Sequence, residues 1–285
     1  MAKDTFLYGK TTVNVKGRLL DLSSPSVMAI LNNTPDSFYA QSRSNTVDDA
    51  LRKVEGFLKD GADFIDIGAY SSRPGAAEVS PDEELRRLLP LIEAITKKLP
   101  EAILSIDTFR SAVAKEAIHA GAHIINDISA GSMDEAMFDT IAELQVPYII
   151  MHMKGTPQTM QQQAHYQDIG IEVVSYFADK VSKLKKLGVK DIIIDPGFGF
   201  AKNLEHNYEL MQHLDYLRLF EQPLLIGISR KAMIYKLLGI NATEALNGTS
   251  VLHALALLKG AGILRVHDVK AARECIAIVQ KLQQA

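Results

Sequence analysis

The sequence predicts an α/β fold and, within that class, a (β/α)8 TIM barrel, which is a parallel eight-stranded barrel with outer helices. Three observations support this prediction. Short apolar runs rich in Ile, Leu and Val recur along the chain, segments with helical spacing of apolar residues lie between them, and the chain has 285 residues. Such runs are typical of parallel strands buried on both faces, and a barrel of this kind usually needs about 250 residues.

The predicted strands are short, and polar residues or glycine follow most of them. In chain order they cover residues 27–31, 64–67, 103–106, 124–128, 148–151, 192–194, 224–228 and 263–266. The predicted helices cover residues 47–59, 83–99, 111–120, 135–144, 171–187, 204–220, 245–259 and 268–282. Ser80 followed by Pro81 is a helix start signal, and Gly61, Gly121 and Gly188 follow predicted helix ends.

A doubly wound open sheet is the competing architecture. The glycine fingerprint that follows the first strand of such a sheet is absent here. Because no Pro/Ser-rich linker divides the chain, we assign residues 26–285 to one barrel domain. Residues 1–25 are expected to form a short β-hairpin or loop that closes the base of the barrel.

Composition excludes several other classes of protein. Apolar residues make up 47% of the chain and charged residues 23%, which excludes a disordered chain. The net charge is −3 with both signs mixed along the chain, so no nucleic-acid partner is expected. No apolar run is long enough for a membrane span or a signal peptide. We therefore expect a cytoplasmic protein whose single cysteine, Cys275, is a buried, inert thiol.

Cationic side chains follow several predicted strands, at the end of the barrel where chemistry takes place in this fold. They are Arg73, Lys231, Arg265 and His267. Such a cluster in a net acidic protein indicates a site for an anion, most simply phosphate or pyrophosphate.

Carboxylates and amides end other strands at the same predicted mouth. Asp107, Asn126 and Asp195 suit a flat heterocycle rich in N–H donors, because each carboxylate can accept a pair of N–H bonds. Asn32, after the first strand, is a neutral oxygen ligand near the anion cluster. Mg²⁺ commonly takes one or two protein oxygens together with phosphate oxygens, so Asn32 is the candidate metal ligand.

Each of these residues has a structural alternative when it is taken alone. An arginine such as Arg73 or Arg265 can form a surface ion pair, and Asp107 or Asp195 can cap the following helix. His267, like His152, can be a hydrogen-bonded structural histidine. The functional interpretation is favoured because these residues occur together at one predicted mouth.

Eight segments occur in an order and spacing that resemble the dihydropteroate synthases. They are LNNTPDSF, SSRPGA, SIDTFR, NDIS, MHMKGTP, DPGFGFAK, ISRK and RVHD, and the resemblance covers about residues 26–282. It implies a TIM-barrel enzyme of folate biosynthesis, a transferase that condenses 6-hydroxymethyl-7,8-dihydropterin diphosphate with 4-aminobenzoate. The products are 7,8-dihydropteroate and pyrophosphate. The resemblance also implies dependence on Mg²⁺ and a homodimer, for which the last helices, including residues 276–279, are candidate contacts.

The resemblance assigns roles by position. Asn32 matches the ligand of Mg²⁺ and diphosphate. The pterin contacts are Asp107, Asn126, Asp195 and Lys231, with Ile128 and Met151 as apolar walls. The diphosphate contacts are Ser72, Arg73, Arg265 and His267. The 4-aminobenzoate pocket is formed by Phe200, Ser229, Pro74 and the stem of Lys231. The residues expected to contribute to catalysis are Arg73, Asp107, Lys231, Arg265 and His267.

Two other functions remain open on the sequence. A corrinoid-linked methyltransferase would share the pterin carboxylates, but it has no need for the cluster of Arg73, Lys231 and Arg265. A catalytically inactive paralogue should lack at least one of Asp107, Lys231 or Arg265, and all three are present. A sulfonamide-insensitive form of the same activity is also compatible with the sequence. Departures from the family pattern are Tyr70, Ser72 and a first loop, residues 39–43, that lacks glycine.

Overall fold

The computed structural model describes residues 10–32, 43–69 and 79–284, with only the backbone described for Asn32 and residues 43–46. The strands in these ranges are β1 Thr12–Val15, β2 Arg18–Asp21, β3 Ser26–Asn32, β4 Phe64–Gly68, β5 Ile103–Asp107, β6 Ile124–Asp127, β7 Tyr148–Met151, β8 Ile192–Asp195, β9 Leu225–Ile226 and β10 Ile263–Val266. The α-helices are α1 Arg43–Lys59, α2 Pro81–Lys98, α3 Ser111–His119, α4 Met137–Leu144, α5 Ile169–Lys186, α6 Leu204–Gln212, α7 Ala232–Leu238, α8 Leu246–Leu258 and α9 Val269–Gln284. Short 3₁₀ helices cover Met160–Gln163, Leu214–Phe220 and Ala242–Glu244.

Strands β3 to β10 form one parallel sheet that closes into a barrel. Its order is β8, β7, β6, β5, β4, β3, β10, β9. A parallel bridge between Ile194 of β8 and Leu224, next to β9, joins the two ends of this order. Helices follow the strands on the outside, so the predicted TIM barrel is confirmed.

Two predicted elements differ in the structure. The seventh predicted strand, residues 224–228, is reduced to Leu225–Ile226, because Gly227 offers no side chain to pack and the chain turns where Lys231 N–H donates to the Ile228 carbonyl (3.1 Å). The predicted helix over residues 204–220 is α6 followed by a 3₁₀ helix. Its buried residues Leu214 and Leu217 are three apart, a spacing that suits a 3₁₀ helix and an α-helix equally well. The short helix α7 was not predicted.

The outer helices bury one apolar face against the barrel. Helix α2 begins as predicted, with Ser80 as N-cap accepting a hydrogen bond from the Glu83 N–H and with Pro81 in the first turn. Its buried residues Leu88, Ile92 and Ile95 recur at helical spacing and join the layer between the barrel and the helices. Among the helices in the described ranges, none has the length and apolar character needed to cross a membrane.

The amino-terminal hairpin, β1 and β2, packs against the base of the barrel. Its two-residue turn, Lys16 and Gly17, has φ values of 48° and 82°, as expected for a tight turn that matches the strand twist. Val13 and Val15 are buried in one apolar cluster with interior residues of the barrel such as Met28 and Phe64. The base of the barrel is therefore filled by apolar side chains.

Alternation along the strands creates a second, polar layer above this base. On β4, Phe64 lies in the interior base cluster, whereas Ile65 and Ile67 pack outward against the helices. Asp66 therefore shares the interior face with Phe64, one layer closer to the carboxyl end. Its register partner on β5 is Ser105, which also lies inside. This layer begins the candidate site.

Candidate active site

An ion-pair network crosses the barrel mouth from β10 to β4 and β5. Arg265 Nε donates to Asp66 Oδ2 at 2.7 Å, and Arg265 Nη2 donates to Asp107 Oδ2 at 3.0 Å. The Asp66 side chain is completely buried, and the other two are about one-fifth exposed, at 19% for Arg265 and 20% for Asp107. The predicted residues Asp107 and Arg265 are thus brought into direct contact, and Arg265 does not form a surface ion pair.

Asp66 is the centre of this network and was missed by the sequence analysis. Its Oδ1 accepts from Ser105 Oγ (2.6 Å), and its Oδ2 accepts from Asn126 Nδ2 (3.1 Å) as well as from Arg265. The only signal in the sequence was a single acidic residue inside the apolar run FIDI. A carboxylate in such a run needs partners, and those partners come from three other strands.

Asp107 lies at the end of β5 and is free to contact a ligand in the mouth. Helix α3 begins at Ser111, whose N–H donates to Asp134 Oδ2 (2.7 Å), so Asp134 and not Asp107 caps this helix. Burial raises the pKa of Asp107 to about 7, and the nearby Asp66 carboxylate acts in the same direction, whereas Arg265 opposes the shift. The next strand places Asn126 directly beside Asp107 in the ladder.

Asp195 and Lys231 form a second charged group on the opposite side of the mouth. Both lie next to Gly227, because a Cβ at this glycine would be in ordinary van der Waals contact with Asp195 Oδ2 (3.8 Å) and Lys231 Nζ (3.9 Å). Burial lowers the pKa of Lys231 to about 8, while the Asp195 carboxylate raises it. Burial raises the pKa of Asp195, and Lys231 counteracts that effect. Arg265 is close enough to influence both groups, so the two charged groups belong to one site.

Lys231 also contacts the loop that follows β8. It is the N-cap residue of α7, and its Nζ donates to the Phe198 carbonyl at 2.5 Å. The same ammonium lies 4.7 Å from the centre of the Phe200 ring, a cation–π distance. The predicted neighbours Phe200 and Lys231 are therefore in contact with each other.

Ser229 and His267 are joined at the ends of β9 and β10. The distance from Ser229 Oγ to His267 Nδ1 is 3.0 Å, and the His267 N–H donates to the same hydroxyl at 3.2 Å. Burial lowers the pKa of His267 to about 4, and Arg265 and Lys231 add to this effect. His267 is therefore neutral at pH 7 in this structure, which differs from the cationic character expected from the sequence.

Apolar residues form the remaining wall of the mouth. Ile128 and Met151, the predicted walls of the pterin slot, are buried in a cluster with Phe109, Met153 and Met160, and Phe200 packs at its edge. The mouth thus combines an apolar surface with carboxylates on two sides. This combination suits a flat ligand with polar edges.

Two polar residues at strand ends point away from the mouth. Asp127 is buried on the outer side of β6, where it accepts hydrogen bonds from Tyr148 Oη (2.6 Å) and Ser129 Oγ (2.7 Å). His152 is buried among Tyr176 and Phe177, in agreement with a structural histidine. These two residues stabilise the outer layer.

Four predicted site residues lie outside what the structure describes. Ser72, Arg73 and Pro74 fall between the described ranges, together with Tyr70 and residues 39–42 of the first loop. Asn32 ends β3 and is paired with Gly68 of β4, but its side chain is not described. The roles predicted for these residues stay predictions.

The candidate donor set for Mg²⁺ is small. Within the part of the chain that the structure describes, no three His, Cys, Asp or Glu residues are grouped in a way that could hold a metal ion. Asn32 ends its strand at the same mouth as Arg265 and Asp107. A single amide fits a cation whose other ligands are the oxygens of a bound diphosphate and water.

Comparison with known proteins identifies the family of the chain. The pattern of the pterin binding enzyme family matches residues 28–267. The dihydropteroate synthase of Escherichia coli K12 is 43% identical over 267 residues, which cover 93% of this chain and 94% of that protein.

Solved structures give the same result. A Yersinia pestis dihydropteroate synthase in complex with a sulfonamide drug has a TM-score of 0.90 and 42% identity, covering 96% of this chain and 100% of the other. A Xanthomonas albilineans dihydropteroate synthase with 4-aminobenzoic acid has a TM-score of 0.88 and 37% identity, covering 96% and 99%. With its barrel, its charged mouth and these relatives taken together, the chain belongs to the dihydropteroate synthase family of pterin binding enzymes.

Proposed function

We propose that the barrel mouth joins 6-hydroxymethyl-7,8-dihydropterin diphosphate to 4-aminobenzoate, giving 7,8-dihydropteroate and pyrophosphate. The observation that carries this proposal is the arrangement of Asp107, Asn126 and Asp195 around a mouth that also holds Arg265 and Lys231. The acidic groups suit the N–H edges of a pterin, and the cations suit its diphosphate.

The pterin lies between the two charged groups and against the apolar wall of Ile128 and Met151. Asp107 and Asp195 accept hydrogen bonds from ring N–H groups, and Asn126 can both donate and accept. Burial of these side chains strengthens each bond, because water competes poorly in such a site. The pterin must bind while Asp107 is ionised, since a protonated carboxyl accepts fewer hydrogen bonds.

The reaction is a substitution at the methylene carbon of the pterin. The carbon–oxygen bond to diphosphate breaks with its electron pair leaving on pyrophosphate. The lone pair of the arylamine nitrogen forms the new carbon–nitrogen bond, and the nitrogen then loses a proton to solvent. An aromatic amine is a weak nucleophile, so leaving-group departure is the harder part and the transition state is dissociative.

The charged side chains of the mouth stabilise the charges that develop in this transition state. Arg265, with Arg73 and the Ser72 hydroxyl, stabilises the negative charge that builds up on the leaving diphosphate. His267 donates a hydrogen bond to the diphosphate as a neutral imidazole. Asp107 and Asp195 stabilise the positive charge that builds up on the pterin. A covalent enzyme intermediate and a strong general base are not required.

The 4-aminobenzoate slot lies beside the pterin site. Phe200 contributes an aromatic face, the stem of Lys231 a second wall, and Ser229 a hydroxyl; Pro74 completes the pocket. The position of Lys231 Nζ over the Phe200 ring fits a slot for an aromatic carboxylate.

We also propose Mg²⁺ as the cofactor, held by the Asn32 amide oxygen and by the diphosphate itself. When bound, the ion would withdraw charge from the leaving group. Asn32 then serves to orient the diphosphate toward Arg265. A single amide ligand would leave the other coordination positions of the ion to diphosphate oxygens and water.

A homodimer is proposed on the basis of exposed apolar residues on the last helices. On α8 they are Val251, Leu255 and Leu258, and on α9 they are Ile278 and Leu282, in each case three or four residues apart. Within the predicted contact range 276–279, Ile278 is exposed and belongs to this surface, whereas Ile276 and Val279 are buried within the chain at 4% and 5% exposure. Sedimentation should give twice the chain mass, and Leu255→Glu should give a monomer.

The test of the proposed function is a pyrophosphate-release assay with purified protein, the pterin diphosphate, 4-aminobenzoate and Mg²⁺. Release should require all three additions, and dihydropteroate should form in equal amount. Pyrophosphate release without 4-aminobenzoate, or methyl transfer from a folate, would contradict the proposal. If the protein were a binding subunit without activity, it would release no pyrophosphate, which would also contradict the proposal.

A further inference from the structure

A second lysine, Lys202, is buried beside the site and has no role in the reaction described above. It is only 3% exposed, and it ends the loop that runs from Pro196 after β8. A buried ammonium must find several acceptors, because its removal from water is otherwise costly.

The acceptors of Lys202 come from two neighbouring strand ends. Its Nζ lies 2.9 Å from His152 Nδ1, after β7, and 2.9 Å and 3.0 Å from the carbonyl oxygens of Gly197 and Phe200, after β8. A fourth, longer contact of 3.5 Å joins Nζ to the His152 carbonyl, so acceptors surround the Lys202 amine. Burial lowers the pKa of Lys202 well below its usual range, whereas the Asp195 carboxylate raises it. Burial lowers the pKa of His152 well below its usual range, and Lys202 adds to this effect, so the ring is neutral and can accept at Nδ1.

The loop that Lys202 holds has three residues in the left-handed region, of which only Ala201 incurs a steric cost. Gly197, Gly199 and Ala201 all have positive φ, at 71°, 82° and 50°. A Cβ at Gly197 would lie 2.1 Å from the His152 carbonyl oxygen, so the loop packs tightly on the end of β7. Ala201 is not a glycine, and its left-handed conformation persists only if neighbouring contacts enforce it.

Phe200 lies between the positions that Lys202 fixes. Its carbonyl accepts from Lys202, and its N–H donates to the Gly197 carbonyl (3.1 Å), which Lys202 also binds. On the opposite side of the loop, Lys231 binds the Phe198 carbonyl and lies against the Phe200 ring. One lysine therefore faces the site, and the other holds the loop from behind.

We propose that Lys202 is a positioning residue for 4-aminobenzoate: its ammonium fixes the loop of residues 197–201 so that the Phe200 ring forms the wall of the slot. This inference rests on the proposed function, in which Phe200 lines that slot. The pterin contacts Asp107 and Asn126 lie on other strands. Asp195 accepts from the Gly197 N–H of this loop (2.8 Å) but is itself fixed at the end of β8, so the larger effect of Lys202 falls on 4-aminobenzoate.

The test compares Lys202→Met with wild type in steady-state kinetics. Loss of the buried ammonium should raise the KM for 4-aminobenzoate about tenfold or more, while the KM for the pterin diphosphate and kcat change less than about threefold. The matched control is Lys10→Met, which removes a lysine at the opposite end of β8, where its Nζ donates to Asp191 Oδ1 and the Lys190 carbonyl. The control should leave both KM values near those of wild type.

A chemical rescue separates the ammonium from the rest of the side chain. The chain has one cysteine, so Lys202→Cys in a Cys275→Ala background has a single thiol at position 202. This variant is unfolded, alkylated with 2-bromoethylamine and refolded. The resulting thioether analogue of lysine should restore the KM for 4-aminobenzoate. Alkylation with iodoacetamide, which adds no charge, should not.

Hydrogen exchange tests the loop without relying on activity. The peptide covering residues 196–203 should exchange faster in Lys202→Met, whereas β7 should not change. If wild type lacks the proposed activity but this exchange difference appears, the proposed function fails and the loop assignment stands. Equal rises in both KM values, an unchanged KM for 4-aminobenzoate, or failure of the Met and rescued variants to fold would overturn the inference.

Discussion

The two ends of the barrel use the same strands in opposite ways. At the base, Met28 and Phe64 pack with Val13 and Val15 of the hairpin in an apolar cluster. One layer higher, β4 presents the buried carboxylate of Asp66, and the mouth gathers further charges around it. The base gains free energy by removing apolar surface from water, whereas the mouth spends stability on buried charge that a ligand can use. Substitutions at the two ends should therefore affect different quantities.

The largest expected effect is at the mouth. Asp195→Ala or Asp107→Ala removes charge-assisted acceptors worth roughly 1.5–3 kcal/mol per bond and leaves pterin N–H groups unpaired. With two bonds lost, pterin affinity should fall by about two to four orders of magnitude, while the thermal midpoint changes little. Calorimetry with a folded sample measures both quantities. Pterin affinity within about threefold of wild type would contradict the assigned pocket.

Phe64→Ala tests the base. Truncation of a fully buried phenylalanine should lower the free energy of unfolding by about 3–5 kcal/mol through lost burial and a cavity. Denaturant titration measures this loss, and both KM values should stay near wild type below the midpoint. A changed KM for either substrate, measured where the variant is still folded, would show that the two ends are not independent.

Arg265→Ala separates binding from turnover within the mouth. Because this cation acts most strongly as diphosphate leaves, kcat should fall about 100-fold or more, with a smaller loss of pterin affinity. The control Arg265→Lys keeps a positive charge but cannot bridge Asp66 and Asp107 in the same way. An unchanged kcat combined with a raised KM would refute the leaving-group role.

The pH dependence of kcat/KM tests the charged groups of the mouth. The raised pKa of Asp107, about 7, and the lowered pKa of Lys231, about 8, predict that kcat/KM for the pterin substrate is highest between these values. It should fall at lower pH as Asp107 is protonated, and at higher pH as Lys231 loses its proton. Lys231→Arg should remove the alkaline decline. An alkaline decline that persists in this variant would assign it to another group.

The raised pKa of Asp107 also makes the free energy of unfolding depend on pH. Because the folded state holds the Asp107 proton more tightly than the unfolded chain, protonation of Asp107 favours folding. Its contribution is full below the ordinary pKa of 3.8 and is lost as pH rises through about 7. Relative to Asp107→Asn, wild type should therefore lose unfolding free energy across that window. Parallel pH profiles for the two proteins would contradict this prediction.

Much of the fold could be predicted because its signals are local. The apolar runs of β3 to β8 and β10 end within a residue or two of their predicted ends, since each is bounded by polar residues or glycine. Strand β9 is shorter than predicted because Gly227 has no side chain to pack and the chain turns where the Lys231 N–H donates to the Ile228 carbonyl. The helix break after α6 was not predicted because one apolar spacing fits two helix types.

The site residues that were missed depend on distant partners. Asp66 and Arg265 are 199 positions apart, and only barrel closure explains a carboxylate inside an apolar strand. Lys202 looks like an ordinary lysine in the sequence, and its importance appears only where two strand ends meet. The neutral state of His267 follows from burial beside other cations, which sequence order does not reveal.

The bond between Asp66 and Arg265 has a further consequence for how ligands bind. A long guanidinium side chain normally loses rotational freedom when it meets an anion, and that loss weakens binding. Here Asp66 holds the Nε side of Arg265, and Ser105 and Asn126 hold Asp66 in turn. The entropy of ordering is therefore lost when the barrel folds, and the arginine meets its anion already oriented.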